Sequence, residues 1–211
     1  MSREAVSNLG VFAVDVGSVR KGRLAWASGD RVGHELDDLV AAVAIRLERG
    51  EPVALGFECP LSIPIPAMPI ALGRGRTGEP RAWSSTPAAS ALATGLAQVV
   101  WVLRELRVAV PAAAGFLAFE EFIAADGARL LLWEACVTGE DKGASDAEDA
   151  QIAVRAFVTS LPTPPASITS HHEQLSLAGA ALLWAGWTSE VRILRAQPLA
   201  IRAQRPTRSE R

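Results

Sequence analysis

Three short apolar runs each stop at an acidic residue: Val11–Val14 at Asp15, Val53–Phe57 at Glu58 and Leu130–Trp133 at Glu134. Runs of this length, closed by polar residues or glycine, read as buried strands. The first, Val11–Val16, is closed by Gly17. Arg23–Ser28 pairs with it through the turn at Arg20-Lys21-Gly22. Arg31–Glu35, beyond Gly29-Asp30, adds a third strand, so the opening segment reads as an antiparallel meander. The period then changes. Leu36, Leu39, Val40, Val43 and Leu47 share one face of a helix over Leu36–Arg49, which Gly50 stops. A strand that follows a helix in this way lies parallel to the first, which places Val53–Phe57 beside Val11–Val16.

Cys59–Pro87 breaks both periods. It holds six prolines and carries Arg74, Arg76 and Arg81. Long irregular segments of this kind inside a domain are usually functional or disordered. Ala88–Arg107 is helical, with Leu92, Leu96, Val99, Val100, Leu103 and Leu106 on one side. Ala112–Ala125 reads as a further helix, with Phe116, Phe119 and Phe122 leaving a strand as the alternative. After Asp126-Gly127 comes a strand over Ala128–Cys136, then a glycine-containing loop at Thr138–Ala144. A helix over Asp146–Leu161 is broken by Pro162–Pro165. Gln174–Trp187 is another helix, and Leu199–Arg202 a last strand. No internal repeat is present. This order predicts an α/β fold with a mixed five-stranded sheet flanked by helices, one domain over residues 1–211. A Pro/Arg-rich insertion falls at about 59–87, and a flexible tail at about 203–211.

The 211 residues carry a formal charge of -2, and 49% of them are apolar. The chain can bury a sizeable core, and it is not a globally basic nucleic-acid binder. Contacts to phosphates would therefore need a local patch or metal ions. Cys59 and Cys136 form no CxxC pair, which argues against zinc and for a reducing, cytoplasmic setting. Met1–Gly10 lacks the pattern of a signal peptide, and no apolar run is read as long enough to span a membrane. No membrane partner is expected. The Arg-rich tail from Arg202 reads as a solvated end.

The acidic residues change the picture most. A buried carboxylate is costly unless it meets a cation. Three strands end in Asp15, Glu58 and Glu134, and Asp146 and Asp149 lie three apart at the head of a helix, so both project from one face. Hard oxygen ligands of this kind suit magnesium or manganese, and two such ions about 3.5–4 Å apart can cleave a phosphodiester. Taken singly, each acid also fits a turn former, a helix cap or a surface residue. Arg74, Arg76 and Arg81 are expected to contact phosphates if their loop folds over the site. Lys142 reads as a surface lysine near the Asp146 helix, with phosphate neutralisation as the alternative.

The stretch Val11-Phe12-Ala13-Val14-Asp15-Val16-Gly17-Ser18, then Phe57-Glu58, then Asp146-Ala147-Glu148-Asp149-Ala150 resembles the acidic framework of RNase H-like nucleases, in particular RuvC-type resolvases. Glu58-Cys59-Pro60-Leu61-Ser62-Ile63-Pro64 and Trp133-Glu134-Ala135 are similar to an uncharacterised family of predicted RNase H-like nucleases. The resemblance implies Asp15, Glu58, Asp146 and Asp149 as catalytic ligands of two Mg2+ or Mn2+ ions. Glu134 is implied as an alternative or supporting ligand, and DNA or RNA as substrate. In place of a resolvase's helical junction surface the chain has its Pro/Arg-rich segment. Two other readings stand beside this one. The first is a catalytically inactive binding or scaffold protein on the same fold. The second is an actin-like or sugar-kinase-like ATP-binding protein, because Asp15-Val16-Gly17-Ser18 resembles the first phosphate-binding turn of that group. Such proteins use two turns of this kind, and the chain has one.

Overall fold

Alternation of side chains along the central strands divides the apolar residues between two faces of one sheet. A computed structural model describes residues 8–203 of the chain. The elements are β1 (Gly10–Asp15), β2 (Ala25–Ser28), β3 (Arg31–Gly33), α1 (Leu36–Glu48), β4 (Pro52–Phe57), β5 (Ser62–Ile65), α2 (Thr86–Ala109), β6 (Ala114–Phe116), α3 (Phe119–Ala124), β7 (Arg129–Cys136), α4 (Asp146–Thr159), β8 (Glu173–Ser176), α5 (Leu177–Trp184) and β9 (Ala200–Arg202). The main sheet is mixed and runs β3-β2-β1-β4-β7-β6, with β9 also on β7. β1, β2 and β3 form the antiparallel meander, while β4, β7, β6 and β9 continue from β1 in parallel.

On one face, Phe12, Val14, Leu55, Phe57, Leu130 and Leu132 meet Leu39 and Val43 of α1, Val99 and Leu103 of α2, and Leu182 of α5. On the other, Val11, Ala13, Ala54, Leu131 and Trp133 meet Phe122 of α3 and Ile152, Ala153 and Phe157 of α4. Gly50, with a positive φ of 73°, takes the left-handed conformation that follows α1. Burial of these apolar faces is the main favourable contribution to folding.

Seven strands replace the expected five, because β7 is longer than any single neighbour on its outer edge. β6 pairs with its first half, and β9 with its last residues. β6 comes from Ala112–Ala125, read as a helix with a strand as the alternative; the segment holds both, a short strand and then α3. A second correction concerns Gln174–Trp187. Its first residues form β8, and the buried Ser176 starts α5 by accepting from the Gly179 N–H at 3.0 Å. β8 pairs with β5, so the Pro-rich segment is not irregular throughout. A bridge between Thr77 and Thr169 ties it down again.

α2 is long and apolar enough to cross a membrane by length and composition, contrary to the sequence expectation; 28% of its most apolar stretch is buried. Its Val99, Val102, Leu103 and Leu106 face packs in the core. Residues 1–7 and 204–211 lie outside the described residues, and with them most of the segment read as lacking a signal peptide and most of the expected tail. Arg202 belongs to β9, and Ala203 is buried.

Candidate functional site

β1 and β4 are paired so that Val14 lies level with Phe57, and the Glu58 N–H donates to the Val14 carbonyl at 2.8 Å. The ladder thus extends one residue past β4 and sets Glu58 beside Asp15. Asp15 shares the face of Val11 and Ala13, and Glu58 that of Ala54, which is the face covered by α4. α4 packs on β1 and β2 and brings Asp149, in its first turn, into the same place. One carboxylate oxygen from each of Asp15, Glu58 and Asp149 lies within 4.8 Å of the other two. Asp15 is 8% and Asp149 4% exposed.

Lys142 completes the cluster. Its Nζ lies 2.7 Å from Asp149 Oδ2 and 3.1 Å from Glu58 Oε1. The Gly143 N–H donates to Asp149 Oδ1 at 2.5 Å, so both Asp149 oxygens are held by adjacent residues of one loop. Glu58 Oε2 is buried and receives no hydrogen bond among the described residues. Sequence reasoning left Lys142 on the surface; its membership of the cluster is a finding of the structure.

Burial raises Asp15 to about 6, with Lys142 opposing and Asp149 and Asp146 adding to the rise. Burial also raises Glu58, to about 9, and the neighbouring Asp15 pushes in the same direction. Glu58 is therefore the carboxyl whose charge burial and Asp15 disfavour most, with Lys142 opposing them. Burial alone would lower Lys142, but Glu58, Asp149 and Asp15 outweigh it and hold the ammonium above its ordinary value.

Asp146 stays outside this group. It is exposed at the start of α4, and its charge reaches Asp15 only through space. Ser145, not Asp146, caps the helix, accepting from the Glu148 N–H at 3.2 Å.

Glu134 points to the opposite face of the sheet. It is level with Phe57, not with Glu58, and shares the alternation of Leu130 and Leu132. There it meets Arg76, for which the sequence predicts a phosphate contact instead. Arg76 donates through Nη2 to Glu134 Oε1 at 2.6 Å and through Nη1 to Oε2 at 2.8 Å. Its Nη2 also meets Glu79 Oε1 at 2.7 Å. The Leu61 N–H fills the remaining position on Glu134 Oε2 at 2.8 Å. Arg76 is 6% exposed, so it is committed to this buried fork and is not offered to a substrate. Glu79 was not singled out from the sequence at all. Arg74 is exposed, away from the groove beside the acids. Arg81 is exposed on that groove's wall.

The groove has a volume of about 460 Å³ and is lined by Asp15, Glu58, Lys142 and Arg81, and also by Arg76, Glu79 and Glu134 of the buried fork. The acid cluster is an all-oxygen donor set with one buried oxygen that no donor serves, which fits a hard divalent cation such as magnesium or manganese. No protein-family model, no curated protein and no solved structure matches the chain.

Proposed function

We propose that the protein is a divalent-metal-dependent phosphodiester hydrolase acting on DNA or RNA, built on an RNase H-like sheet. The observation that carries this reading is the convergence of Asp15, Glu58 and Asp149 from two strands and a helix onto one buried point beside an open groove. The antiparallel meander followed by β4 and β7 in parallel supports the fold relationship, since it places Asp15 and Glu58 side by side.

Asp15, Glu58 and Asp149 would hold a Mg2+ or Mn2+ ion, and Asp146, one turn away on α4, would contribute to a second. Such an ion supplies Lewis acidity for the attack of water on phosphorus and for charge developing on the leaving oxygen. The chain's own contribution is placement. β1 and β4 fix two carboxylates in register, α4 sets the third, and the groove leaves room for a strand of nucleic acid. Arg81 on its wall offers a phosphate contact. The thiols of Cys59 and Cys136 are free and burial raises both, which suits a reducing cytoplasmic setting.

One observation favours a scaffold without metal: Lys142 already supplies a positive charge to the acids. The ATP-binding reading has less support. A side chain at Gly17 would collide with the Arg23 carbonyl, so this turn is closed against its own chain.

The test is calorimetric titration of Mn2+ into the wild type and Asp15→Asn, followed by cleavage assays on single- and double-stranded DNA and RNA. Saturable binding and cleavage, both lost in the variant with its circular dichroism unchanged, are expected. Full activity in Asp15→Asn, or a wild type that binds no Mn2+, would sink the reading.

A further inference from the structure

Lys142 occupies the place where a cation between Glu58 and Asp149 would sit. Its Nζ is 2.7 Å from one acid and 3.1 Å from the other, so it already gives them the positive charge that a metal would bring. A divalent ion entering this cluster would face a fixed ammonium at close range, which is strongly repulsive in a partly buried site.

We propose that Lys142 is a tethered cation that fills the carboxylate cluster in the metal-free protein and is displaced when a divalent ion enters, so that metal binding and lysine release are one exchange. The inference rests on the reading of Asp15, Glu58 and Asp149 as metal ligands. Two features of the loop make the exchange a movement of the side chain alone. The backbone on the far side of Lys142 is pinned to α4, through the Gly143 N–H on Asp149 and the Ala144 N–H on Glu148 Oε2 at 2.7 Å. The Lys142 side chain itself is 45% exposed, so its path to solvent is open. Once released, the ammonium stands at the groove wall, where a phosphate would lie. The lysine thus holds the acids together without metal and becomes a phosphate contact with it.

The chain has only two lysines, Lys21 and Lys142, and Lys21 is exposed, which gives an internal reference. The first measurement is Mn2+ affinity by calorimetry for the wild type, Asp15→Asn and Lys142→Met. Lys142→Met should bind about tenfold tighter than the wild type, because the competing charge is gone. The second uses only the wild type, so it does not depend on the variant folding. Amine acetylation is followed by mass spectrometry at both lysines, with and without saturating Mn2+. Lys142 should react slowly without metal and several-fold faster with it, while Lys21 should not change. If the wild type binds Mn2+ through Asp15 but Lys142 labelling is unchanged at saturation, the exchange is overturned and the metal site stands. If Lys142→Met folds and binds no tighter, the exchange is likewise overturned. If the wild type binds no Mn2+, the metal reading falls and the exchange falls with it.

Discussion

Removing the Glu58 charge should stabilise the metal-free protein, by an amount that depends on pH in a specified direction. Burial and Asp15 lift Glu58 from an ordinary value of 4.5 to about 9. The folded chain therefore holds a proton that the unfolded chain releases above pH 4.5. A group whose folded pKa is raised gives its full contribution below the unfolded value and loses it as pH climbs towards the folded value. At pH 7 the cost to the fold is about 3 kcal/mol, and it grows by about 1.4 kcal/mol for each further pH unit up to about 9. Gln at position 58 resembles the protonated acid in shape and does not titrate. Glu58→Gln should therefore match the wild type near pH 5 and exceed it by about 3 kcal/mol at pH 7. For a chain of this size each kcal/mol moves the Tm by about 2–4 °C. The assay is thermal unfolding followed by circular dichroism at pH 5, 6, 7 and 8, with EDTA present throughout. A difference between the two proteins that stays constant across that range would refute the reasoning, because it would place Glu58 in an environment that does not disfavour its charge. Added Mn2+ should then stabilise the wild type more than the variant.

Two further predictions follow from the same geometry. Since burial and Asp15 raise Glu58 and a ligating carboxylate must be ionised, Mn2+ binding at pH 7 should release about one proton, and affinity should fall as pH drops from 9 towards 6; calorimetry in two buffers of different ionisation enthalpy reads the proton count, and a count near zero contradicts it. On the other face of the sheet, Arg76→Met should cost about 3–5 kcal/mol, because it strands the Glu134 carboxylate without its charge partner, while the double variant Arg76→Met with Glu134→Gln should recover part of the loss in urea unfolding; equal losses in the single and double variants would show that the fork is not coupled.

Much of the fold is legible in the sequence, because the signals that specify it are local. The apolar runs at Val11–Val14, Val53–Phe57 and Leu130–Trp133 became β1, β4 and β7, and the 3.6-residue stripes at Leu36–Leu47 and Leu92–Leu106 became α1 and α2. What failed was local pattern overruled by pairing. Ala114–Phe116 carries only a weak strand signal in Phe116 and is extended because the edge of β7 gives it a partner. Glu173–Ser176 is a strand only because β5 offers it a partner far away in sequence. The Pro-rich segment conceals β5 for the same reason.

The site divides along the same line. Asp15, Glu58 and Asp149 could be found because each sits at the end or head of an element that the sequence marks. Glu134 ends its apolar run just as visibly, yet β7 continues to Cys136 and the side chain belongs to the other face. The distinction is one residue of register: Phe57, not Glu58, is level with Glu134, and with a side-chain period of two that single step sends the carboxylate through the sheet. No count along one strand reveals register between strands. The cation partners carry the consequence. Arg76 lies 58 residues from Glu134 and crosses to it as a buried fork, while Lys142, in a chain with one other lysine, serves the acids on the near face. Arginine's planar fork suits a permanent buried pair, whereas lysine's single flexible charge suits one that can be exchanged. The two faces thus separate an acid that the fold has consumed in a buried fork from acids held by a flexible lysine, the ones that the proposed function assigns to a metal.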